Sequence, residues 1–199
     1  MGSAARILLI ALTLGTAWPA LGQTPASSNE PPPLSNPELL RKYVWDVLGP
    51  PGAVNATLAS AFDQWRGAPP AWPQDEGGFA ARWASEYAAS AIGSTAKYGV
   101  ARWLHQDPSF VRCKCEGIGP RLEHALSAPF KARTADGRWV FSPATVAGLT
   151  AEHVVPAATW YPAPHGVRSG VAHVATSVLS KMGVNVLREF MPKRFTKQF

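Results

Sequence analysis

The sequence predicts an all-α fold: a bundle of about five helices with one small β-hairpin, two of the helices long and rich in small residues. Three observations predict it. Residues 77–110 carry apolar and small side chains at three- and four-residue spacing. Capping residues and Pro or Gly breakers recur at the intervals a bundle needs. The one β signal is the Asp136-Gly137 pair, which favours a tight turn between Phe130–Ala135 and Arg138–Phe141.

Residues 77–110 form the longest predicted helix. Phe79, Trp83, Tyr87 and Ala91 make an aromatic stripe, while Ala81, Ser85, Ala88, Ile92, Ala96, Gly99 and Trp103 make a second, mostly small one. Gly93 and Gly99 each cost roughly 1 kcal/mol against Ala in a helix interior, and close packing of a neighbour is the natural compensation. The stretch closes on His105-Gln106-Asp107-Pro108, since a residue before Pro disfavours the α conformation.

Taken in order, the chain opens on a secretory signal over residues 1–22. Arg6 supplies the charge, Ile7 to Ala17 the apolar run, and Ala20-Leu21-Gly22 the small-residue cleavage site before Gln23. Residues 23–34 form a Pro/Ser-rich linker, 35–192 the helical domain and 193–199 a basic tail. Ser35-Asn36-Pro37-Glu38 starts the first helix, which stops at Gly49 before Pro50-Pro51. A second helix from about Ala53 to Arg66 carries Val54, Leu58, Phe62 and Trp65 on one face and ends at Gly67. Trp72 plugs the irregular connector that follows. Pro120 restarts a helix to about Lys131, and Ser142-Pro143 caps another that Pro156 kinks or ends. The last helix runs from Val167 to Phe190 and resembles the central one in length and style, so the two are expected to pack antiparallel.

The 199 residues carry a net charge of +6, and removing the signal with its single cation leaves +5. This mild excess lacks the Lys/Arg runs of a nucleic-acid binder. With export it points to anionic lipid or the envelope surface as partner, and to the periplasm or the outer membrane as location.

Several islands occur together: DQWRGAPPAWPQ from Asp63, HQDPSF from His105, the Arg121/His124/Phe130/Ala132-Arg133 run, Trp160-Tyr161-Pro162, and Asn185-Val186 with Arg188-Glu189-Phe190. This arrangement resembles a group of uncharacterised exported proteins of Gram-negative bacteria. The resemblance implies a helical fold and export, and carries no assigned activity.

His105 and Asp107, with Arg112 near, are the sharpest candidate site. They read as a general base with an orienting carboxylate, or as a helix end whose imidazole caps carbonyls and whose acid organises the next turn. On the second reading Asp107 acts as a local cap worth about 0.5–2 kcal/mol. Glu123-His124 and Glu152-His153 repeat an acid–His pair, but adjacent helical residues diverge, and no zinc-type spacing links them with His105; no metal is assigned. With no phosphate loop, dinucleotide fingerprint or nucleophile elbow, no cofactor is assigned either. Cys113 and Cys115 form a local disulfide or stand as two thiols, with a redox role as the alternative. Lys193, Arg194, Phe195, Lys197 and Phe199 give the tail a lipid-interface composition, a frayed terminus being the other reading. The expected function is a non-catalytic, envelope-associated exported protein; the alternative is a periplasmic hydrolase-like enzyme using His105 and Asp107.

Overall fold

Local capping sets the helix ends in the computed structural model, which describes residues 31–162 and 166–192. The expected signal peptide and the basic tail with Lys193, Arg194, Phe195, Lys197 and Phe199 lie outside the described residues. Within them the structure is predominantly helical, with six helices and a small three-stranded antiparallel sheet.

Helix α1 (Asn36–Leu48) opens on Ser35, whose N–H and hydroxyl both donate to the Glu38 carboxylate, at 2.8 and 2.6 Å. Helix α2 (Pro50–Arg66) begins at Pro50 rather than at Ala53. A Pro in the first turn sacrifices only an N–H that has no helical partner, so the Pro pair starts this helix instead of delaying it. Gly67, at φ 66°, ends it in the left-handed conformation that a side chain disfavours. Helix α3 (Glu76–Trp103) is capped by Asp75, whose Oδ1 accepts the Gly78 N–H at 2.8 Å.

Helix α3 stops about a turn earlier than expected. His105 adopts φ 53°, and Gln106–Asp107 become strand β1. The expected hairpin is present as β2 (Lys131–Thr134) and β3 (Trp139–Phe141), with Gly137 in the turn at φ 83°. Strand β1 pairs antiparallel with β2, setting Asp107 opposite Arg133 and Gln106 opposite Thr134. Those backbone bonds take residues that sequence periodicity assigned to the helix end.

Helix α4 (Ile118–Ser127) and a 3₁₀ turn at Ala128–Phe130 lead into β2. Helix α5 (Pro143–Thr159) is capped by Ser142, whose Oγ accepts the Thr145 N–H at 3.3 Å, and it runs through Pro156. Its last turn closes on the Pro156 carbonyl, which accepts the amides of Trp160 and Tyr161 at 3.1 and 3.0 Å. Helix α6 (Val167–Phe190) completes the bundle.

The two long helices are not each other's main neighbours. Helix α5 packs along α3 on one side and α6 on the other, while α1 and α2 cover a further side of α3. A Cβ on Gly93 would lie 2.6 Å from Glu152 Cβ and 2.9 Å from the Gly148 carbonyl; one on Gly148 would lie 2.8 Å from Lys97 Cβ. Glycine at both positions is therefore a condition of the α3–α5 crossing. Gly99 faces open space, so close packing accounts for Gly93 and not for Gly99.

The interior is correspondingly small and polar. Its buried apolar side chains are mostly alanines, with Leu39, Trp139 and Leu149 the bulky members. The largest fully buried side chains are charged: Arg82, Glu189 and Asp107. Among the described residues, no helix is long and apolar enough to cross a membrane.

Candidate functional site

Among the described residues three polar networks stand out, and bulky apolar side chains are exposed on several helices, those of α1 and α2 and, on α6, Val171, Leu179 and Leu187. The first centres on Asp107. Its Oδ2 accepts Arg133 Nη2 at 2.8 Å and the Leu34 N–H at 2.9 Å, and its Oδ1 accepts the Ser109 N–H at 2.9 Å. Arg133 also donates to the Pro31 carbonyl and lies over the Trp139 ring, 5.7 Å from its centroid. Both side chains of the pair are almost fully buried. Pro31 and Leu34 belong to the Pro/Ser-rich stretch read as linker, and this network ties that stretch to the domain. His105, the expected partner of Asp107, is exposed at the turn before β1. The carboxylate is thus engaged by an arginine and two backbone amides, and it pins three separate segments.

The second network gathers residues 111–121 on the end of α6. The fully buried Glu189 carboxylate accepts Arg121 Nε at 2.9 Å and the Cys113 N–H at 3.0 Å. Arg121 Nη2 reaches the Glu189 carbonyl at 2.6 Å, and Arg112 donates to the Met191 carbonyl at 2.6 Å. Cys113 and Cys115 are disulfide-bonded. His124 uses Nε2 on the Val111 carbonyl at 2.7 Å and packs edge-on against Trp139.

The third network lies between α3 and the turn after α5. Tyr161 donates to Glu86 Oε1 at 2.9 Å and Trp160 Nε1 to Ser85 Oγ at 2.8 Å. Burial raises the Glu86 carboxyl above its ordinary range, against the Tyr161 hydrogen bond; burial likewise raises Asp63 and Tyr161. His153 bonds Ser177 Oγ at 2.6 Å, its ring is 6.3 Å from that of His173, and burial holds its pKa down. Among the described residues no group of three or more His, Cys, Asp and Glu side chains is arranged to hold a metal ion. An open apolar groove of about 280 Å³ runs beside this network, lined by Trp72, Ala81, Ala84, Ser85, Ala88 and Trp160; neither His105 nor Asp107 lines it.

One such apolar surface is on α1 and α2. Leu40, Val44 and Leu48 recur every four residues along α1, as do Val54, Leu58 and Phe62 along α2, with Trp65 beyond, and all are exposed. Leu58 is 66% and Trp65 80% exposed, while Gly52, Ala56 and Ser60 supply the buried face of α2. The cations Arg41, Lys42 and Arg66 are exposed on the same two helices, Lys42 paired with Asp46 at 2.7 Å and Arg66 lying over Phe62 at 5.3 Å.

Asp107 thus organises the turn that follows it through the Ser109 amide, as one of the two expected readings has it, and the structure adds charged groups whose partners the sequence did not indicate: Arg133, Glu189 and Arg82. A signal was present for Arg133 and Glu189. The short islands that carried the family resemblance contain Asp107, Arg121, Arg133 and Glu189, the residues the first two networks bring together. No protein-family model matches the chain, and comparison with curated proteins and with solved structures found no match.

Proposed function

We propose that this is a non-catalytic exported protein that works at the cell envelope by laying the α1–α2 face on an anionic lipid surface. One observation carries the reading: the molecule's side chains are distributed inside out. Bulky apolar residues of α2 face solvent in a continuous stripe, while the largest fully buried side chains are charged. A contiguous exposed apolar surface of this kind marks an interaction site. An apolar helix face with cations beside it has the composition that lies in a lipid interface, its apolar residues entering the headgroup boundary. The net positive charge of the chain favours an anionic surface over a neutral one.

Flotation of the purified mature protein with phosphatidylglycerol-containing vesicles, at low and high salt, tests this. The wild type is expected to float, with less floating at high salt. The Leu58→Glu/Trp65→Glu variant, altered only at exposed positions, is expected to stay at the bottom while keeping its helical circular dichroism. Wild-type protein remaining at the bottom at both salt concentrations overturns the reading. A defined dimer whose interface protects Leu58 and Trp65 from labelling would identify a second copy as the occupant and overturn it equally.

A further inference from the structure

The two sulfurs of the Cys113–Cys115 disulfide sit in different settings. Cys113 is half-buried, and its N–H is fixed on the buried Glu189 carboxylate at 3.0 Å. Its Sγ accepts the Cys115 N–H at 3.1 Å. Cys115 is exposed to solvent, in a segment outside helix and strand. A bridge between residues only two apart closes a very short loop, the case in which a disulfide restrains the unfolded chain least. This bond therefore does little as a staple. Its anchored, asymmetric placement calls for another account.

We propose that Cys113–Cys115 is a thiol–disulfide exchange site that oxidises a peptide carrying two neighbouring thiols. One substrate thiolate attacks the exposed Cys115 Sγ, forming a substrate–Cys115 bond. The Cys113–Cys115 bond breaks, and its electron pair passes to Cys113 Sγ. That leaving thiolate keeps the Cys115 N–H as a hydrogen-bond donor, which favours a thiolate. The second substrate thiolate then attacks the substrate sulfur of the mixed disulfide and releases Cys115 as a thiolate. The substrate departs with its own disulfide, oxidised by two electrons, and its two protons end on Cys113 and Cys115. Glu189 acts as a positioning residue, holding Cys113 through its backbone while Arg121 holds Glu189. This inference does not depend on the lipid-binding reading, since no residue of the α1–α2 face takes part.

The test mixes the oxidised protein with a synthetic peptide containing two cysteines, and follows peptide oxidation and protein thiols by mass-shift alkylation. One peptide disulfide is expected per protein, formed at least about tenfold faster than with the Cys113→Ser/Cys115→Ser variant, as expected where the attacked sulfur is accessible and the leaving thiolate is stabilised. Acid quenching followed by digestion is expected to recover the peptide linked to Cys115. The double variant is expected to melt close to wild type. Peptide oxidation no faster than with the double variant, a mixed disulfide on Cys113, or a large drop in melting temperature in the double variant each overturns the proposal. The last of these would make the bond a structural staple.

Discussion

Arg82 and Arg133 are both buried to within 2% of full enclosure, and each has a tryptophan ring within 6 Å of its guanidinium. Their charges are met in opposite ways. Among the described residues Arg82 donates to neutral oxygens: Gln64 Oε1 and the carbonyls of Ala68, Pro69, Trp72 and Pro73. All lie within 18 residues of it, so Arg82 moulds one local loop onto α3. Arg133 instead meets a carboxylate 26 residues away and a carbonyl 102 residues away, and its Nε is buried without a partner among the described residues. The contrast shows two uses of a buried cation in a domain whose apolar interior is slight. One shapes a loop through dipoles that can turn to water if the cation is lost. The other closes the chain over long range through a charge that cannot.

The largest effect is expected where a charge would be stranded. Asp107→Ala leaves Arg133 buried with no counter-ion, which costs about 3–5 kcal/mol when a buried pair is broken from one side. Urea denaturation measures it. This exceeds the 0.5–2 kcal/mol of a local cap, the sequence-based expectation for the same residue. The double variant Asp107→Leu/Arg133→Met is expected to recover most of the loss, because an apolar pair of similar volume often replaces a buried ion pair at little cost. A double variant as unstable as the single one would erase the contrast, by showing that the hydrogen bonds of Asp107 with the Leu34 and Ser109 amides and of Arg133 with Pro31, rather than a stranded charge, carry the loss.

Arg82→Met comes next, at about 1–3 kcal/mol, since the freed oxygens sit on a loop that can rehydrate. Proteolysis within residues 68–75 is expected to accelerate in parallel. Arg82→Lys is expected to rescue little, because a compact ammonium cannot span the oxygens that a planar fork reaches. A loss as large as that of Asp107→Ala would mean that the loop is rigid and that the two arginines are equivalent.

The same contrast explains what was legible in the sequence. Local signals survived: the helix start at Ser35 with Glu38, the Ser142 cap, the turn at Gly137 and the long final helix all stand where spacing put them, whereas the Asp75 cap was not read. So did the connector that Arg82 organises, with Trp72 packed on Tyr161. Long-range choices were hidden. Asp107 was matched with His105 because the two are neighbours in sequence, whereas strand register set it against Arg133. Periodicity identified the apolar face of α2 correctly, but a period cannot say what covers a face. The glycine and alanine face met α3, because only small side chains let two backbones approach so closely, and Val54, Leu58, Phe62 and Trp65 were left outside.

Lys97 gives the smallest and most discriminating test, as a half-buried cation of the interior that has neither solution. It sits on α3 against Gly148 of α5, with no ion pair among the described residues. Burial pulls its pKa down to about 8, and the charges of Lys181 and Lys42 add to the shift. The sign follows from linkage. Between about 8 and the ordinary value of 10.5 the unfolded chain holds a proton that the folded chain has lost, so stability rises with pH across that window. Below about 8 the full penalty of the enclosed charge is present. Lys97→Met keeps the aliphatic stem and removes the charge, and is expected to stabilise the protein at pH 7 by about 1–2 kcal/mol, a figure reduced for the partial access of the ammonium to water. The advantage over wild type should shrink as pH is raised from 8 towards 10.5, measured as the difference between two urea midpoints so that other titrating groups cancel. A variant less stable than wild type at pH 7 would place Lys97 with Arg82 and Arg133, as a cation the fold uses rather than one it tolerates.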